Sequence, residues 1–307
     1  MTWLDEPVVT ERAVVSTDEA IGWPSPAAGP DGVMSVVAHE DDDLIFQCPD
    51  LLHDVEAGRR VRVVYLTAGD AGNGRSWWSK REGGPRAAYA HMAGVADVWA
   101  TSSVTVAARS VRMETLVGAP TVSLVFLRLP DGSRSGAGYR RHGHQSLRKL
   151  WDGALPAVSA VDGSASYSAI RLTSALTELM NRFRPATVRT LDFTQPGANG
   201  DHSDHRAAAL FTRGASRSCA VEHVLVSYQG YRSVSRPVNV TGADLEAKRA
   251  ALMAYASVDR AVYVDAIVGR SLRARLRRQV VLAAVHTGRP AEEHDDAWPP
   301  AERGQRA

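Results

Sequence analysis

Short apolar runs alternate with segments of helical periodicity along most of the chain. The run from Val33 to Ala38 is rich in β-branched residues and has no polar alternation, which predicts a parallel strand buried on both faces. Further strands are predicted at 61–66, 104–107, 122–129, 188–191 and 221–227. This alternation predicts an α/β protein with a Rossmann-like three-layer fold, a mainly parallel sheet and a site at the carboxyl edge of the strands.

Helices are predicted from apolar spacing and from the residues that begin or end them. The apolar positions between Leu172 and Phe183 repeat at helical spacing, and Pro185 ends that helix. A later helix begins at a cap formed by Ser203 or Asp204. The other predicted segments are a glycine-containing loop over 67–82, a helix near 87–95 and a last amphipathic helix over 270–281.

The ends of the chain differ in composition from its centre. A Pro/Gly-rich piece at 23–30 predicts an N-terminal arm over residues 1–31 that leads into the first strand. Residues 32–287 are expected to form one domain. The tail, 288–307, carries prolines and mixed charge and is expected to be flexible.

Composition narrows the range of partners. The 307 residues are 44% hydrophobic and 23% charged, and the formal net charge of +2 gives no reason to expect a nucleic-acid or membrane partner. Cys48 and Cys219 follow no metal spacing. We see neither a secretory signal nor an apolar run near the roughly 20 residues of a membrane helix, so we expect a cytoplasmic protein. The oligomeric state stays open.

A dense group of charges, from His39 to Asp43, follows the first predicted strand. Four consecutive carboxylates at the end of a buried strand would repel one another strongly unless a cation lay among them. His39 and Asp42 are three residues apart, so both can reach one ion if the chain turns sharply there. We therefore predict a divalent metal at this position, with Asp41 free beside it.

A second cluster, from His202 to His205, has the same dense His/Asp character. His205 completes a His, Asp, His ligand set with one open position, which catalytic zinc prefers, and another divalent metal is the alternative. Zinc lowers the pKa of a bound water, and Asp41 is the candidate general base that accepts its proton. His202 is the candidate donor to the oxyanion, and Asp204 would orient and charge its imidazole.

Both clusters carry a family resemblance. Residues 38–43 resemble the AHPDDE motif, and residues 202–205 resemble the HPDH motif, of the PIG-L/LmbE-like zinc deacetylases. The resemblance spans Val33 to Tyr255 and implies an LmbE-like version of the predicted fold. It also implies an enzyme, a zinc-dependent amidohydrolase that removes an acetyl or acyl group from an N-acylglucosamine-type sugar. The ligand, base and histidine roles given above follow from the resemblance as well.

The chain departs from these motifs at three positions. Glu40 stands where the family has proline, which changes the stiffness of the turn and adds charge. Asp43 replaces the usual glutamate, so metal affinity or preference could shift, and Ser203 replaces a proline at the helix start. The sequence of these motifs is similar to that of the actinobacterial branch of the family, which acts on natural products and saccharides. The expected partner is therefore a small N-acyl amino sugar or glycoside.

Candidates for substrate contact lie in the loops near these clusters. Asp70 belongs to the glycine-containing loop, and the tryptophans of that loop could stack on a sugar face, although tryptophans also fill cores. An arginine there could bind hydroxyls or a phosphate, and a Gly/Arg-rich loop with two histidines could line the pocket. The candidates are Asp70, Trp77, Trp78, Arg81 and His144, which lies near His142.

Three other functions remain open at this point. One is a metal-binding scaffold without turnover, in which Glu40 and Asp43 have ended catalysis. Another is a dinucleotide-binding Rossmann-like protein. Such a protein needs a glycine fingerprint after its first strand, but His39 to Asp43 stand at that position here. Their negative charge would repel a pyrophosphate. The third is acyl transfer to a second amine instead of to water.

Overall fold

The computed structural model describes residues 23, 29–195, 200–259 and 269–287. The strands of these residues are Val33–Val37 (β1), Val61–Thr67 (β2), Trp99–Val106 (β3), Arg109–Leu116 (β4), Val122–Leu129 (β5), Val158–Ser159 (β6), Ser166–Tyr167 (β7), Thr187–Thr190 (β8), His223–Tyr228 (β9) and Val281–Thr287 (β10). Their α-helices are Asp42–Phe46 (α1), Asp50–Glu56 (α2), Arg75–Met92 (α3), Leu147–Trp151 (α4), Ala169–Phe183 (α5), Ser203–Ser218 (α6), Gly242–Val258 (α7) and Arg270–Leu276 (α8). Short 3-10 turns cover Arg140–His142 and Tyr231–Ser235.

One eight-stranded sheet, in the order β10-β9-β8-β1-β2-β5-β4-β3, forms the centre of the fold. The strands from β9 to β5 in that order run parallel, while β10, β4 and β3 pair antiparallel at the two edges. Every residue of β1 and β2 is buried, as expected for parallel strands covered on both faces. The predicted fold class, an α/β three-layer fold with a mainly parallel sheet, is therefore confirmed.

Two groups of helices flank the sheet. In one group α3 packs against α7, and in the other α4 and α5 both pack against α6. The apolar stripe predicted for α5 is buried along its length, from Leu172 through Leu176 and Leu179 to Phe183. These helices exclude water from the sheet and leave its carboxyl edge to the loops.

The predicted loop over 67–82 is too long, because α3 already begins at Arg75 and continues through Pro85. The sequence Gly83-Gly84-Pro85 indicates a helix break, but its glycines serve close packing against α7. A Cβ atom on Gly84 would clash with the ring of Tyr255, and one on Gly83 would lie 2.6 Å from Val258. The missing side chains therefore let two helices approach closely.

Two further local predictions are wrong, and one strand was missed. The last helix ends at Leu276, and the chain returns as the antiparallel edge strand β10 instead of continuing to residue 281. The strand β4, which forms a hairpin with β3, was not predicted. The residue that caps α6 is His202, whose Nδ1 accepts the backbone N–H of Asp204, and not Ser203 or Asp204.

The predicted arm, 1–31, lies mostly outside the described residues, and the predicted tail, 288–307, lies wholly outside them. Within the Pro/Gly-rich piece of the arm, Trp23 is described and is buried. The guanidinium of Arg62 lies 4.0 Å from the centroid of its ring. Among the helices described, none has the length and apolar character that crossing a membrane requires.

Candidate metal centre

Four loops meet at the carboxyl edge of the sheet. His39 follows β1, Asp70 follows β2, Asp131 follows β5, and the segment 201–205 lies at the end of the loop that leaves β8. Because β1 lies between β2 and β8, the chain moves to opposite sides of β1 in its two halves. Such a switch point opens a crevice in doubly wound sheets, and ligands bind there.

A sharp turn after β1 separates the side chains of the acidic motif. The Oδ2 atom of Asp42 accepts the backbone N–H of His39 at 2.8 Å, which closes the turn into α1. Asp43 points away from the histidines and accepts hydrogen bonds from the hydroxyls of Tyr65 at 2.9 Å and Tyr89 at 2.6 Å. Of these carboxylates, only that of Asp42 is directed at the histidines.

Arg81 on α3 binds the other two acids of the motif. Its Nε donates to Glu40 at 3.1 Å, its Nη2 donates to Asp41 at 3.0 Å, and its Nη1 lies 3.4 Å from Asp259. Burial raises the pKa of Glu40 to about 8, although Arg81 opposes that shift. The glutamate that replaces the family's proline therefore belongs to a buried ion-pair network, in which Asp41 shares the same guanidinium.

The second cluster is held by contacts to its flanking loop. Asp201 accepts hydrogen bonds at its Oδ1 atom from the backbone N–H groups of His202 and Tyr231, at 2.8 and 3.2 Å. The same oxygen lies 2.8 Å from Nδ1 of His205. Since a carboxylate that binds one imidazole nitrogen leaves the other free to hold a metal, Asp201 orients Nε2 of His205 into the site.

Side chains of His39, Asp42 and His205 converge in the buried crevice. One potential ligand atom from each lies within 4.8 Å of the others. Nε2 of His205 is 3.0 Å from Oδ1 of Asp42, but the two atoms are not aligned as a hydrogen bond, and Nε2 of His39 also has no hydrogen-bond partner among the described residues. Buried polar atoms without partners are costly, so this donor set fits a metal ion that all three residues face.

The electrostatics of the metal-free cluster point the same way. Burial lowers the pKa of His205, but the carboxylates of Asp42 and Asp201 outweigh it and raise the pKa to about 9. Burial likewise opposes charge on His39, yet Asp42 and Asp204 raise its pKa well above the ordinary value. For Asp42 burial raises the pKa, while His205 and His39 lower it well below its usual range. The pocket thus favours a cation beside the carboxylate of Asp42.

His202 lies beside the cluster in a different environment. Burial is the largest effect on it, and the neighbouring His39 and His205 add to that effect, so its pKa falls far below the ordinary value. Its Nδ1 accepts the N–H of Asp204, which places the ring proton on Nε2. That nitrogen lies 3.8 Å from Oδ1 of Asp131. His202 is therefore a neutral imidazole with an N–H available on the site side.

The carboxylate of Asp204 faces more than its predicted partner. It accepts the backbone N–H of Gly132 at 2.7 Å and lies 3.5 Å from Nε2 of His39 and 3.7 Å from Nδ1 of His202. Asp131 joins these residues in a second group whose ligand atoms lie within 4.8 Å. The assignment of Asp204 as the partner of His202 stays a prediction.

The predicted substrate residues are spread over the surroundings of the crevice. Asp70 is buried, accepts the N–H of Asp131 at 3.0 Å and lies 2.8 Å from Nε2 of His142. Trp78 is buried beneath the guanidinium of Arg128, at 4.8 Å, whereas Trp77 is exposed. His144 is exposed and binds the backbone oxygen of Gly138. Of the two histidines in that loop, it is His142 that contacts the residues at the crevice.

Two acids of the site were missed at the sequence level. Pro130-Asp131-Gly132 has the composition of a simple turn, and Asp201 precedes the recognised cluster by one residue. A usable signal was the spacing of Asp201 and His205, since residues four apart at a helix start can contact each other. No comparable signal existed for Asp131, whose partners Asp70 and His202 are both distant in the sequence, Asp70 by 61 residues.

The eight-stranded sheet and the His/Asp cluster at its switch point define the class, an α/β protein with a candidate metal centre. A family model described as PIG-L: GlcNAc-PI de-N-acetylase matches residues 34–216, which is more than half of the 307 residues. The chain belongs to the PIG-L family, as its motifs predicted. Membership implies a metal-dependent deacetylase or hydrolase-like fold and indicates an enzyme.

Two solved structures resemble the chain at low identity. The conserved protein TT1542 from Thermus thermophilus is 17% identical with a TM-score of 0.41, over 76% of this chain and 84% of that one. GalB, the 4-carboxy-2-hydroxymuconate hydratase from Pseudomonas putida KT2440, is 15% identical with a TM-score of 0.40, over 87% of this chain and 99% of that one. No curated protein matches the sequence.

Proposed function

We propose that the protein is a zinc-dependent hydrolase that removes an acetyl or acyl group from an N-acylglucosamine-type sugar, on a small glycoside or natural product. The observation that carries the proposal is the convergence of His39, Asp42 and His205, with unpartnered imidazole nitrogens, beside the neutral imidazole of His202. Family membership supplies the reaction type. The sugar is proposed from the family description, and the cytoplasm from the sequence.

His39, Asp42 and His205 would hold the zinc, which when bound polarises the acyl carbonyl and acidifies water. Asp41 accepts the proton of the water that attacks the carbonyl carbon. Arg81 holds the carboxylate of Asp41 in one orientation through its Nη2. The proton then passes to the amine nitrogen as the C–N bond breaks, so that one water and one amide yield one carboxylic acid and one amine.

His202 supplies the second interaction that the reaction needs. As a neutral imidazole with its proton on Nε2, it donates a hydrogen bond to the oxyanion that forms on the carbonyl oxygen. Burial keeps this donor free of competing water. Its neutrality also spares the buried site an additional positive charge next to the metal.

The carboxylates along the turn argue against a dinucleotide-binding protein. Glu40, Asp42 and Asp43 are all buried at the end of β1, where a pyrophosphate would lie in a Rossmann-like nucleotide site. The pKa of Asp42 lies well below its usual range, so this carboxylate keeps its negative charge, which repels phosphate. A scaffold without turnover and an enzyme that transfers the acyl group to a second amine are separated from hydrolysis by the assay below.

The test is an assay of the zinc-loaded protein on a panel of N-acyl glucosaminides, with chitobiose-type and antibiotic-type members. We expect zinc to copurify at one ion per chain, and amine and acetate to appear in equal amounts. Amine without free acid, in the presence of an acceptor amine, would indicate transfer. Bound zinc with no turnover on any member of the panel would overturn the proposal in favour of a scaffold.

A further inference from the structure

Glu40 is a fully buried acid whose position is not explained by stability alone. Its Oε2 atom accepts a hydrogen bond from Nε of Arg81 at 3.1 Å, while its Oε1 atom has no partner among the described residues. Burying a carboxylate is costly, and a buried ion pair often contributes no more to stability than well-packed apolar residues would. The role of Glu40 therefore lies in what it does to Arg81.

Two nitrogens of Arg81 are held by acids other than Asp41. Its Nε is bound by Glu40, and its Nη1 lies 3.4 Å from Oδ2 of Asp259, just after α7. The hydroxyl of Tyr255 donates to the same oxygen of Asp259 at 3.1 Å, which keeps that carboxylate in place. Because a guanidinium is planar and rigid, fixing Nε and Nη1 also fixes the direction of Nη2.

The backbone of the loop after β2 packs directly against the pair of Glu40 and Arg81. Gly69 has a φ of +49°, and a Cβ atom at this position would clash with both Nε of Arg81 and Oε2 of Glu40. The pair therefore has no free space on the side of this loop. The side chain of Arg81 is only 12% exposed, so its guanidinium has little freedom to turn while Glu40 is in place.

Asp41 depends on Arg81 for its orientation. Its Oδ1 atom accepts from Nη2 of Arg81 at 3.0 Å, and no other group of the described residues bonds to its carboxylate. Asp41 is the N-cap residue of α1, but its side chain makes no capping hydrogen bond. Its Oδ2 atom is thus left for the water whose proton the base accepts.

We propose that Glu40 is a positioning residue for the general base. It fixes the guanidinium of Arg81, which holds Asp41 through Oδ1 and leaves Oδ2 free for the attacking water. The inference rests on the proposed function, in which Asp41 is that base. It opposes the alternative in which Glu40 has ended catalysis, because this acid then supports the reaction without touching the substrate.

Steady-state kinetics of zinc-loaded E40A, E40Q and E114A test this on the N-acyl glucosaminide that is hydrolysed fastest. We expect E40A to lower kcat by about tenfold and to leave KM within about twofold, since misplacing a catalytic group by about 1 Å can cost about 10²-fold. E40Q should restore most of kcat, because its amide oxygen can still accept from Nε of Arg81. E114A removes another buried glutamate bound by two arginines, on β4, and should keep kcat.

The same substitution on the background of D41N shows whether Glu40 acts through Asp41. A positioning residue has nothing to position once the base is gone, so E40A should lower the residual kcat of D41N by less than about twofold. An equal loss on both backgrounds would overturn the proposal, and so would an E40A enzyme with unchanged kcat. A loss in E114A as large as that in E40A would also overturn it, because general loosening of the chain would then account for both.

A crystal structure of E40A separates this proposal from the proposed function. We expect the contact between Asp41 and Arg81 to be lost in E40A but kept in E114A, and this result would support the positioning role even if no acyl sugar is hydrolysed. In that case the proposed function has failed, while the hold on Asp41 stands. A distance from Nη2 to Oδ1 that stays near 3.0 Å in E40A would overturn the role of Glu40, whatever the activity.

Discussion

The two segments that meet at the candidate metal centre, 39–43 and 201–205, position their side chains by different means. In the first segment a turn closed by Asp42 and His39 sends consecutive acids to different partners. Most of this arrangement of side chains is set locally, by the turn at the end of β1. In the second segment the histidines are oriented by Asp201, and the carboxylate of Asp204 is tied to Gly132 in another loop.

This difference predicts where each segment is sensitive to substitution. In the first, each acid has a separate role, so single substitutions should separate chemistry from stability. In the second, orientation is shared among loops, so substitutions should act through the metal. The predictions below test this contrast, from the largest expected effect to the smallest.

Asp41→Asn is expected to produce the largest loss. An amide cannot accept the proton of the attacking water, and general base catalysis contributes about 10²–10⁴-fold in rate. Turnover of an N-acyl glucosaminide should fall by that factor, while zinc stays bound because Asp41 lies outside the convergent cluster. Steady-state kinetics and metal analysis of the same preparation measure both. Undiminished acetate release would remove Asp41 from the role of base.

Arg81→Gln should lower stability. At pH 9, above the pKa of about 8 of Glu40, it leaves a buried carboxylate without its cation, and breaking a buried ion pair costs about 3–5 kcal/mol. Urea denaturation should show a loss of that order in the free energy of unfolding. The double variant R81Q/E40Q should recover part of the loss, because it removes the buried charge as well. A double variant less stable than R81Q would contradict the view that Arg81 balances Glu40.

The contrast also explains how much could be predicted from the sequence. The fold class followed from buried apolar runs, and the first segment was recognisable because His39 and Asp42 lie three residues apart. The contribution of Asp131 depends on which loops the sheet order brings together, and no local pattern encodes that order. Likewise the loop predicted over 67–82 is too long, because the packing of Gly83 and Gly84 against Tyr255 and Val258 within α3 is not visible in the local sequence.

Asp201→Asn should weaken zinc binding without removing a ligand. An asparagine oxygen can still accept from Nδ1 of His205, but it lacks the charge that strengthens the imidazole as a ligand. Loss of such an outer partner typically costs about 10–100-fold in metal affinity. Zinc affinity from chelator competition should fall by this amount. Asp192→Asn is the matched control and should leave affinity unchanged, because this residue of the same loop is bonded, among the described residues, to the nearby Thr194.

The smallest effect is expected from Tyr89→Phe, and it should depend on pH. Burial raises the pKa of Asp43 to about 7, against the opposing hydrogen bonds of Tyr89 and Tyr65. A carboxyl whose pKa is higher in the folded state than in the unfolded one binds its proton more tightly when folded, so stability falls as pH rises from the ordinary pKa towards 7. Removing one hydroxyl that favours the carboxylate raises the folded pKa further and extends this decline above pH 7.

The cost of Tyr89→Phe should therefore grow with pH in the zinc-free chain. Near pH 5 Asp43 is protonated in both proteins, and the lost neutral hydrogen bond costs about 1 kcal/mol, whereas near pH 8.5 the lost bond to a carboxylate costs about 2 kcal/mol. Urea denaturation at the two pH values measures the difference. Tyr167→Phe is the control, because its buried hydroxyl has no partner among the described residues, so its effect should not change between those values. A cost of Tyr89→Phe that does not change with pH would mean that Asp43 keeps one protonation state between these pH values. The separate role given to Asp43 in the first segment would then be wrong.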